Sequence, residues 1–151
     1  MAKPSWDEYF MEMVGFVMKR ADCIRGSAAA VVVRDFRVIS TGYNGTPHRV
    51  KNCSEGGCIR CKKRNDGKIQ RYQYEESCIC IHAEQNALIQ AAYLGISTKG
   101  ATLYTSHSPC SSCAKLIINA GIKRVVYKNN HHDEAGKKLL IEAGVEVENS
   151  G

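Results

Sequence analysis

Apolar and polar positions alternate along the first part of the chain in a way that predicts a helix. Apolar residues recur at helical spacing and form one stripe, at Tyr9, Phe10, Met13, Phe16 and Val17. Ser5 before this stripe and Glu8 three residues later have the pattern of a capping box. We therefore expect the first helix to begin after Ser5 and to end near Arg20.

The next segment has the pattern of two paired strands. Residues 28–33 form a continuous apolar run rich in β-branched side chains, which is typical of a buried strand. Residues 37–41 are predicted to be its hairpin partner. Gly42 and Gly45 are expected to end this pair of strands.

The second half of the chain alternates between helical and strand patterns. The expected elements are helix 83–94, strand 101–105, a helix 109–120 opened by Pro109, strand 124–127, helix 134–143 and strand 145–147. The order α-β-β-α-β-α-β-α-β predicts a three-layer α/β/α sandwich, with a central mixed five-stranded sheet and helices on both faces. A length of 151 residues predicts one domain spanning residues 1–151.

Between about residues 45 and 78 the chain shows no sustained period of either kind. Such a long irregular segment is uncommon without a function or an internal staple, so we interpret it as a functional insertion. From Gly45 to Tyr74 this segment holds eight basic residues and two acidic ones. Its net charge of +6 equals the formal net charge of the whole chain. The cluster favours a partner that carries phosphate, and the alternative is a solvated loop with scattered charges. The basic residues are Arg49, Lys51, Arg60, Lys62, Lys63, Arg64, Lys68 and Arg71.

Composition narrows the class of protein. With 44% hydrophobic and 24% charged residues, the chain is ordinary for a globular protein. No apolar run approaches the roughly 20 residues of a membrane span, and the first residues lack the pattern of a secretory signal. Eight cysteines without such a signal favour metal binding or catalysis in the cytoplasm over disulfide bonds. For any one cysteine the alternative is a buried, small apolar residue.

Two short motifs each open a predicted helix. The first is His82-Ala83-Glu84, and the second is Pro109-Cys110-Ser111-Ser112-Cys113. Either motif alone is weak, because H-x-E is common by chance and a lone C-x-x-C also occurs in redox sites and zinc fingers. Together and in this order they match the zinc deaminase signature H-x-E…P-C-x-x-C.

The spacing of these residues suits a catalytic zinc. Cys110 and Cys113 are three apart, so their thiols face the same way at a helix start, where the helix dipole favours thiolate. His82 would be a third ligand, which leaves the fourth tetrahedral position to water. Glu84 would lie beside this water without binding the metal and would serve as base and then acid. The alternative role for Glu84 is a charge that only stabilises the helix dipole.

The longer motifs resemble the deoxycytidylate (dCMP) deaminase family of bacteria and phages. The resemblance is carried by STGYNGTP, HAEQNAL and SPCSSCAKLIINAGIKRVVY, and it extends over nearly the whole chain. It implies a cytidine deaminase-like fold and the hydrolysis of dCMP to dUMP and ammonia, which supplies dUMP for thymidylate synthesis.

The resemblance also implies roles for individual residues. His82, Cys110 and Cys113 would hold the catalytic zinc and Glu84 would move protons. Asn44 would bind the sugar, and the backbone around Ala83 and Ser108 would contact the base. Members of the family are often hexamers, activated by dCTP with Mg²⁺ and inhibited by dTTP. The regulatory nucleotide would lie near Arg25, Gly26, Tyr43, Thr46 and His48.

Some members of this family carry a second, structural zinc. The corresponding positions here are Cys23, Cys53 and Cys80, with Cys61 as the fourth ligand and Cys58, Cys78 or His48 as alternatives. A closed four-ligand site would stabilise an insertion that has no obvious core. The alternative is a set of buried free thiols.

Two other functions remain compatible with the sequence. The first is a different zinc deaminase, acting on free cytidine, guanine, tRNA adenosine or single-stranded DNA. The second is a zinc-stabilised nucleic-acid-binding module without catalysis, which leaves the position of Glu84 unexplained. Binding of single strands needs stacking aromatics, but aromatic residues are only 7% of the chain and the insertion holds just Tyr72 and Tyr74. A nucleotide monophosphate is therefore favoured over nucleic acid.

Overall fold

A mixed five-stranded sheet forms the centre of the computed structural model, which describes residues 2–70 and 77–151. Its strands follow the order β2-β1-β3-β4-β5. β1 runs antiparallel to β2 and β3, whereas β4 runs parallel to both β3 and β5. The strands are β1 Ala29–Arg34, β2 Arg37–Tyr43, β3 Thr102–His107, β4 Arg124–Asn129 and β5 Glu146–Asn149.

Helices cover both faces of this sheet. The described residues form five α-helices and two 3₁₀ turns. The α-helices are α1 Trp6–Val17, α2 Ile59–Asn65, α3 Ala83–Leu94, α4 Ser111–Asn119 and α5 Ala135–Glu142, and the 3₁₀ turns are Met18–Arg20 and Cys53–Glu55. α1 packs on one face, and α3, α4 and α5 share a core with the other face. The predicted three-layer α/β/α sandwich with a mixed five-stranded sheet is therefore confirmed.

Residues 29–33 of β1 are apolar without interruption because both faces of the strand are covered. Val31 and Val33 point to the core that contains Phe10 and Val14 of α1. Val32, between them, points to the opposite core with α3 and α4. Since successive side chains of a strand face opposite sides, a strand covered on both faces must be apolar at every position.

The start of α1 follows the predicted capping box. The Glu8 N–H donates to Ser5 Oγ at 3.2 Å, and the Ser5 N–H donates to Glu8 Oε2 at 2.7 Å. The α-helix ends at Val17, and the 3₁₀ turn continues it to Arg20. The first helix is thus confirmed, with a tighter last turn than a simple helix has.

The prediction that Gly42 ends the second strand is wrong. β2 continues through Gly42 to Tyr43. A Cβ atom on Gly42 would lie 2.3 Å from both the Ala83 carbonyl oxygen and the Ala87 nitrogen of α3. The glycine therefore marks the close approach of a helix to the strand, which is another use of glycine inside strands.

The insertion contains regular structure that its sequence did not predict. α2 and the 3₁₀ turn at Cys53–Glu55 both fall inside it. α2 has only seven residues, and its buried side chains are Arg60 and Cys61, so no apolar stripe marks it. Arg71, Tyr72 and Tyr74, which the sequence analysis assigned to this insertion, lie outside the described residues.

Within the described parts of the chain, no helix combines the length and apolar character that crossing a membrane requires.

Replacing Gly42 with alanine should destabilise the protein, because the added Cβ would collide with the backbone of α3. We expect the free energy of unfolding in urea to fall by about 3 kcal/mol, the upper range for overpacked sites. Gly15→Ala is the matched control, since a Cβ there meets nothing within 4 Å and alanine favours an exposed helix. Equal stability of the two variants would contradict this packing.

Candidate active site

The candidate site lies where the carboxyl ends of β3 and β4 meet the starts of α3 and α4. His82 is the N-cap of α3, and Cys110 is the N-cap of α4. His107 ends β3, and Ser108 follows it. Crevices at the carboxyl ends of parallel strands are common ligand sites in open α/β sheets.

The structure brings together the three predicted ligands of the catalytic zinc. His82 Nδ1 lies 3.2 Å from Cys113 Sγ and 3.5 Å from Cys110 Sγ. All three ligand atoms lie within 4.8 Å of one another. Pro109 does not begin the helix as predicted, because Cys110 is the extended N-cap residue and α4 starts at Ser111.

The donor set fits a zinc ion. Zinc binds thiolate sulfur at about 2.3 Å and imidazole nitrogen at about 2.0 Å, which makes a tetrahedral S···N edge of about 3.5 Å. The two S···N distances of 3.2 and 3.5 Å are close to that edge. One nitrogen and two sulfurs also leave a fourth position open, as in catalytic zinc sites.

The thiols are arranged to supply negative charge. Hydrogen bonds with Cys113 and then with His82 together lower the pKa of Cys110 to about 3, against the opposing effect of burial. The hydrogen bond with Cys110 and burial raise the pKa of Cys113. The hydrogen bond with Cys110 also raises the pKa of the His82 imidazole. The pair therefore holds a thiolate at neutral pH, which suits a site for a cation.

Glu84 lies beside this group and outside it. Its side chain is only 6% exposed. Oε1 accepts a hydrogen bond from Thr105 Oγ1 at 2.9 Å, and Oε2 lies 3.6 Å from Cys113 Sγ. A carboxylate that only complemented a helix dipole would not need this buried position, so the contacts favour a chemical role.

Thr105 is a residue that the sequence analysis missed. It is fully buried in β3, and its hydroxyl also lies 3.1 Å from the His107 carbonyl oxygen. In the sequence it is an ordinary strand residue, so no pattern distinguishes it. Only the hydrogen bond that joins β3 to α3 in the folded chain shows that it orients Glu84.

A cavity of about 180 Å³ opens beside these side chains. Asn44, Ala83 and Ser108, the three predicted substrate-binding residues, all line it. His107 and His131 also line it and were not predicted. His107 ends β3, and His131 follows the end of β4. A position at the carboxyl end of a parallel strand is the sequence signal that could have predicted them. The remaining lining residues are Ala28, His82, Glu84 and Cys110.

Asn44 also has a structural role. Its Oδ1 accepts from the Ala28 N–H at 2.9 Å, and its Nδ2 donates to the Gly26 carbonyl at 2.8 Å. An amide carries two N–H donors, so one remains for a ligand. At Ser108, the N–H donates to the Asn129 carbonyl and the hydroxyl accepts from the His131 N–H.

The residues predicted to bind a regulatory nucleotide are only partly brought together. Tyr43, Thr46 and His48 line a second cavity of about 450 Å³, whose basic residues are Lys19, Arg20 and Arg49. Arg25 and Gly26 do not line it. Arg25 instead points its guanidinium towards Asn65 of α2, at 3.4 Å from Oδ1.

The predicted second metal site is also a cluster in the structure. The sulfurs of Cys23, Cys53, Cys61 and Cys80 lie within 4.8 Å of one another. A second group of four sulfurs overlaps it and consists of Cys58, Cys61, Cys78 and Cys80. Within the described residues, His48 belongs to neither group.

Three features together are those of the zinc-dependent deaminases. They are a mixed sheet with helices on both faces, a His-Cys-Cys group at two helix starts and a buried glutamate beside this group. The family model described as "Cytidine and deoxycytidylate deaminase zinc-binding region" matches residues 4–129. The chain belongs to this family.

Known relatives of the chain carry the name deoxycytidylate deaminase. One from Saccharomyces cerevisiae is 41% identical over 148 residues, which cover 97% of this chain and 45% of the relative. One from Mycobacterium phage D29 is 40% identical over 131 residues, 84% of this chain and 97% of the relative. The chain therefore spans less than half the length of the yeast relative and nearly all of the phage one.

The solved structures include a similar phage enzyme. The dCMP deaminase of cyanophage S-TIM5, crystallised with dCMP and dUMP, superposes with a TM-score of 0.80 at 33% identity. The match covers 99% of each chain. This likeness confirms the predicted cytidine deaminase-like fold.

Removing one ligand should remove one zinc ion from the purified protein. We expect Cys113→Ser to bind one zinc fewer per chain than the wild type, because zinc sites of this type need all three ligands. Elemental analysis by mass spectrometry measures the difference. Glu84→Gln is the control and should keep the wild-type zinc content, since Glu84 lies outside the ligand group. Equal zinc loss in Glu84→Gln would make Glu84 a ligand.

Proposed function

We propose that this chain catalyses the hydrolytic deamination of dCMP to dUMP and ammonia. The observation that carries the proposal is the buried Glu84 beside the His82-Cys110-Cys113 group, at the mouth of a cavity of about 180 Å³. The deoxycytidylate deaminases of yeast and phage, at 41% and 40% identity, support the choice of substrate.

His82, Cys110 and Cys113 would hold the zinc ion, whose contribution is to lower the pKa of a water molecule from about 15.7 to about 7. Glu84 would accept a proton as the water oxygen attacks C4 of the cytosine ring and would deliver it to the ring nitrogen. It would then take the second proton from the hydroxyl group now on C4 and pass it to the amino group, so that the C4–N bond breaks, ammonia leaves and the C4 carbonyl of dUMP forms. One carboxylate thus acts as base and acid in turn.

The cavity favours a single pyrimidine base. Its volume of about 180 Å³ is well below the 300–1,000 Å³ of sites for larger ligands. The backbone of Ala83 and Ser108 would contact the base, and the remaining amide hydrogen of Asn44 would bind the sugar. We infer that the substrate is a nucleotide monophosphate rather than a nucleic acid, because aromatic residues that could stack the bases of a strand make up only 7% of the chain.

The chain would act as one domain, residues 1–151, with a cysteine-rich basic insertion at about 45–78. Cys53 and Cys61 of this insertion would bind a structural zinc together with Cys23 and Cys80, a proposal supported by their mutual distances. Thiolate ligands need a reducing compartment, which favours the cytoplasm.

Regulation would follow the pattern of the family, with dCTP and Mg²⁺ as activator, dTTP as inhibitor and a hexamer as the assembly. The cavity of about 450 Å³ lined by Tyr43, Thr46 and His48 supports this proposal, because Lys19, Arg20 and Arg49 offer positive charge to phosphates. The dUMP that the reaction produces would serve thymidylate synthesis.

A substrate comparison tests the proposed activity. Purified protein is incubated with dCMP, CMP, deoxycytidine and cytidine, each with and without dCTP and magnesium, and ammonia release is measured. We expect dCMP to be the best substrate. Glu84→Gln should lower kcat at least about 100-fold, the usual contribution of general acid–base catalysis. Turnover of another substrate in preference to dCMP would identify a different zinc deaminase, and activity in Glu84→Gln would exclude the mechanism.

Thr105 should position Glu84 without touching the substrate. Thr105→Val keeps the shape of the side chain but removes the hydrogen bond to Oε1. We expect kcat for dCMP to fall about 10- to 100-fold, the value of a hydrogen bond to a charged group, with little change in KM. Thr105→Ser keeps the hydroxyl and should restore most of kcat. Similar loss in both variants would assign Thr105 a purely structural role.

A further inference from the structure

Six cysteines of the chain form one continuous cluster rather than one site with spare thiols. Two groups of four sulfurs overlap, and Cys61 and Cys80 belong to both. Cys23 and Cys53 complete the first group, and Cys58 and Cys78 complete the second. The geometry is that of two tetrahedra that share one edge.

The sulfur–sulfur distances match this description. A tetrahedron of sulfurs around zinc, at about 2.3 Å from the metal, has edges of about 3.8 Å. In the first group Cys61 lies 3.9 Å from Cys23 and 4.0 Å from Cys80. In the second group Cys78 lies 3.8 Å from Cys58 and 3.7 Å from Cys61.

Local structure explains how the second group forms. Cys58 is the N-cap of α2 and Cys61 is its third helical residue. Cys110 and Cys113 occupy the same two positions in α4, at the catalytic site. Cys78 and Cys80 are two residues apart in a segment without regular secondary structure, and both of their sulfurs belong to the second group. Each pair of thiols is thus arranged to bind one metal together.

The first group is fixed by contacts around Asp22. The Ser54 N–H and hydroxyl both bond to the Asp22 carboxylate, at 2.8 and 2.9 Å, and so hold the turn that carries Cys53. The Ile24 N–H donates to Cys53 Sγ at 3.5 Å. These bonds place Cys23 and Cys53 at the outer corners of the first tetrahedron.

We propose that the six cysteines bind two zinc ions, with Cys61 and Cys80 as bridging ligands. Cys23 and Cys53 are the terminal ligands of one ion, and Cys58 and Cys78 are those of the other. Binding replaces six S–H protons, which pass to solvent, and involves no change of oxidation state. Six cysteines around two zinc ions are an established composition of protein metal sites. Together with the catalytic ion, the chain would hold three zinc ions.

Charge favours the second ion. A single zinc ion with four thiolates has a net charge of −2 and would leave the Cys58 and Cys78 thiols beside it. Two zinc ions with six thiolates also have a net charge of −2. The second ion can therefore bind Cys58 and Cys78 as thiolates without making the cluster more negative. Cys58 is fully buried, so its sulfur faces the other cysteines rather than solvent. Arg60, Lys62 and Lys63 on α2 supply positive charge next to Cys61.

Zinc content tests this proposal without any measurement of activity. Protein purified under reducing conditions is analysed by native mass spectrometry and by elemental analysis for zinc and iron. We expect three zinc ions per wild-type chain and two in Cys78→Ser, whose altered residue is exposed. Cys110→Ser should also hold two, because it loses only the catalytic ion. Two zinc ions in the wild type, or iron in the cluster, would overturn the proposal.

Two further measurements on the same samples identify the shared ligands. X-ray absorption should show scattering between two zinc ions in the wild type and in Cys110→Ser but not in Cys78→Ser. Native alkylation followed by peptide mapping should show Cys78 protected until a chelator removes zinc. If Cys78→Ser does not fold, the wild-type and Cys110→Ser results decide alone. Absence of metal–metal scattering, or rapid alkylation of Cys78 in the zinc-loaded wild type, would contradict bridging.

Discussion

The pair of backbone hydrogen bonds between Gly45 and Ile81 is the constraint on which both clusters of potential metal ligands depend. The Ile81 N–H donates to the Gly45 carbonyl at 2.7 Å, and the Gly45 N–H donates back at 3.3 Å. Ile81 stands between Cys80 of the cysteine cluster and His82 of the active site. The Asp22 N–H bonds to the neighbouring Asn44 carbonyl at 2.9 Å and brings Cys23 to the same place. One short bridge thus sets the positions of ligands in two sites.

This arrangement joins the cysteine cluster to the candidate active site through a short stretch of backbone. Metal binding to residues of an insertion contributes folding free energy, because no such site exists in the unfolded chain. Once Cys80 is held, the chain reaches His82 after only one more residue, and α3 starts there. Metal binding by the cluster would therefore fix the start of α3, and Glu84 lies in the first turn of that helix.

Close approaches of backbone complete the active site. Gly42 lets α3 contact β2, and a Cβ on Gly136 of α5 would lie 1.9 Å from the Pro109 carbonyl oxygen. These two glycines allow helices to press on the segments that carry His82 and Cys110. With α3 in contact with β2 and β1, Glu84 reaches Thr105 in the neighbouring strand β3. The positions of the site residues therefore depend on the packing of α3 against β2 and of α5 against the Pro109–Cys110 backbone.

Because periodicity and motif spacing are local, the sequence predicted the sandwich architecture, the order of the elements outside the insertion and the grouping of His82, Cys110 and Cys113 beside Glu84. The contact of Thr105 with Glu84, the presence of His107 and His131 in the cavity and the sharing of Cys61 and Cys80 could not be predicted. These depend on which segments meet, and residues far apart in the chain carry no local sign of a common neighbour. The sequence by itself determined the elements outside the insertion and which residue types are available as metal ligands. Only the tertiary structure decided which side chains surround them, because packing between the sheet and its helices sets those distances.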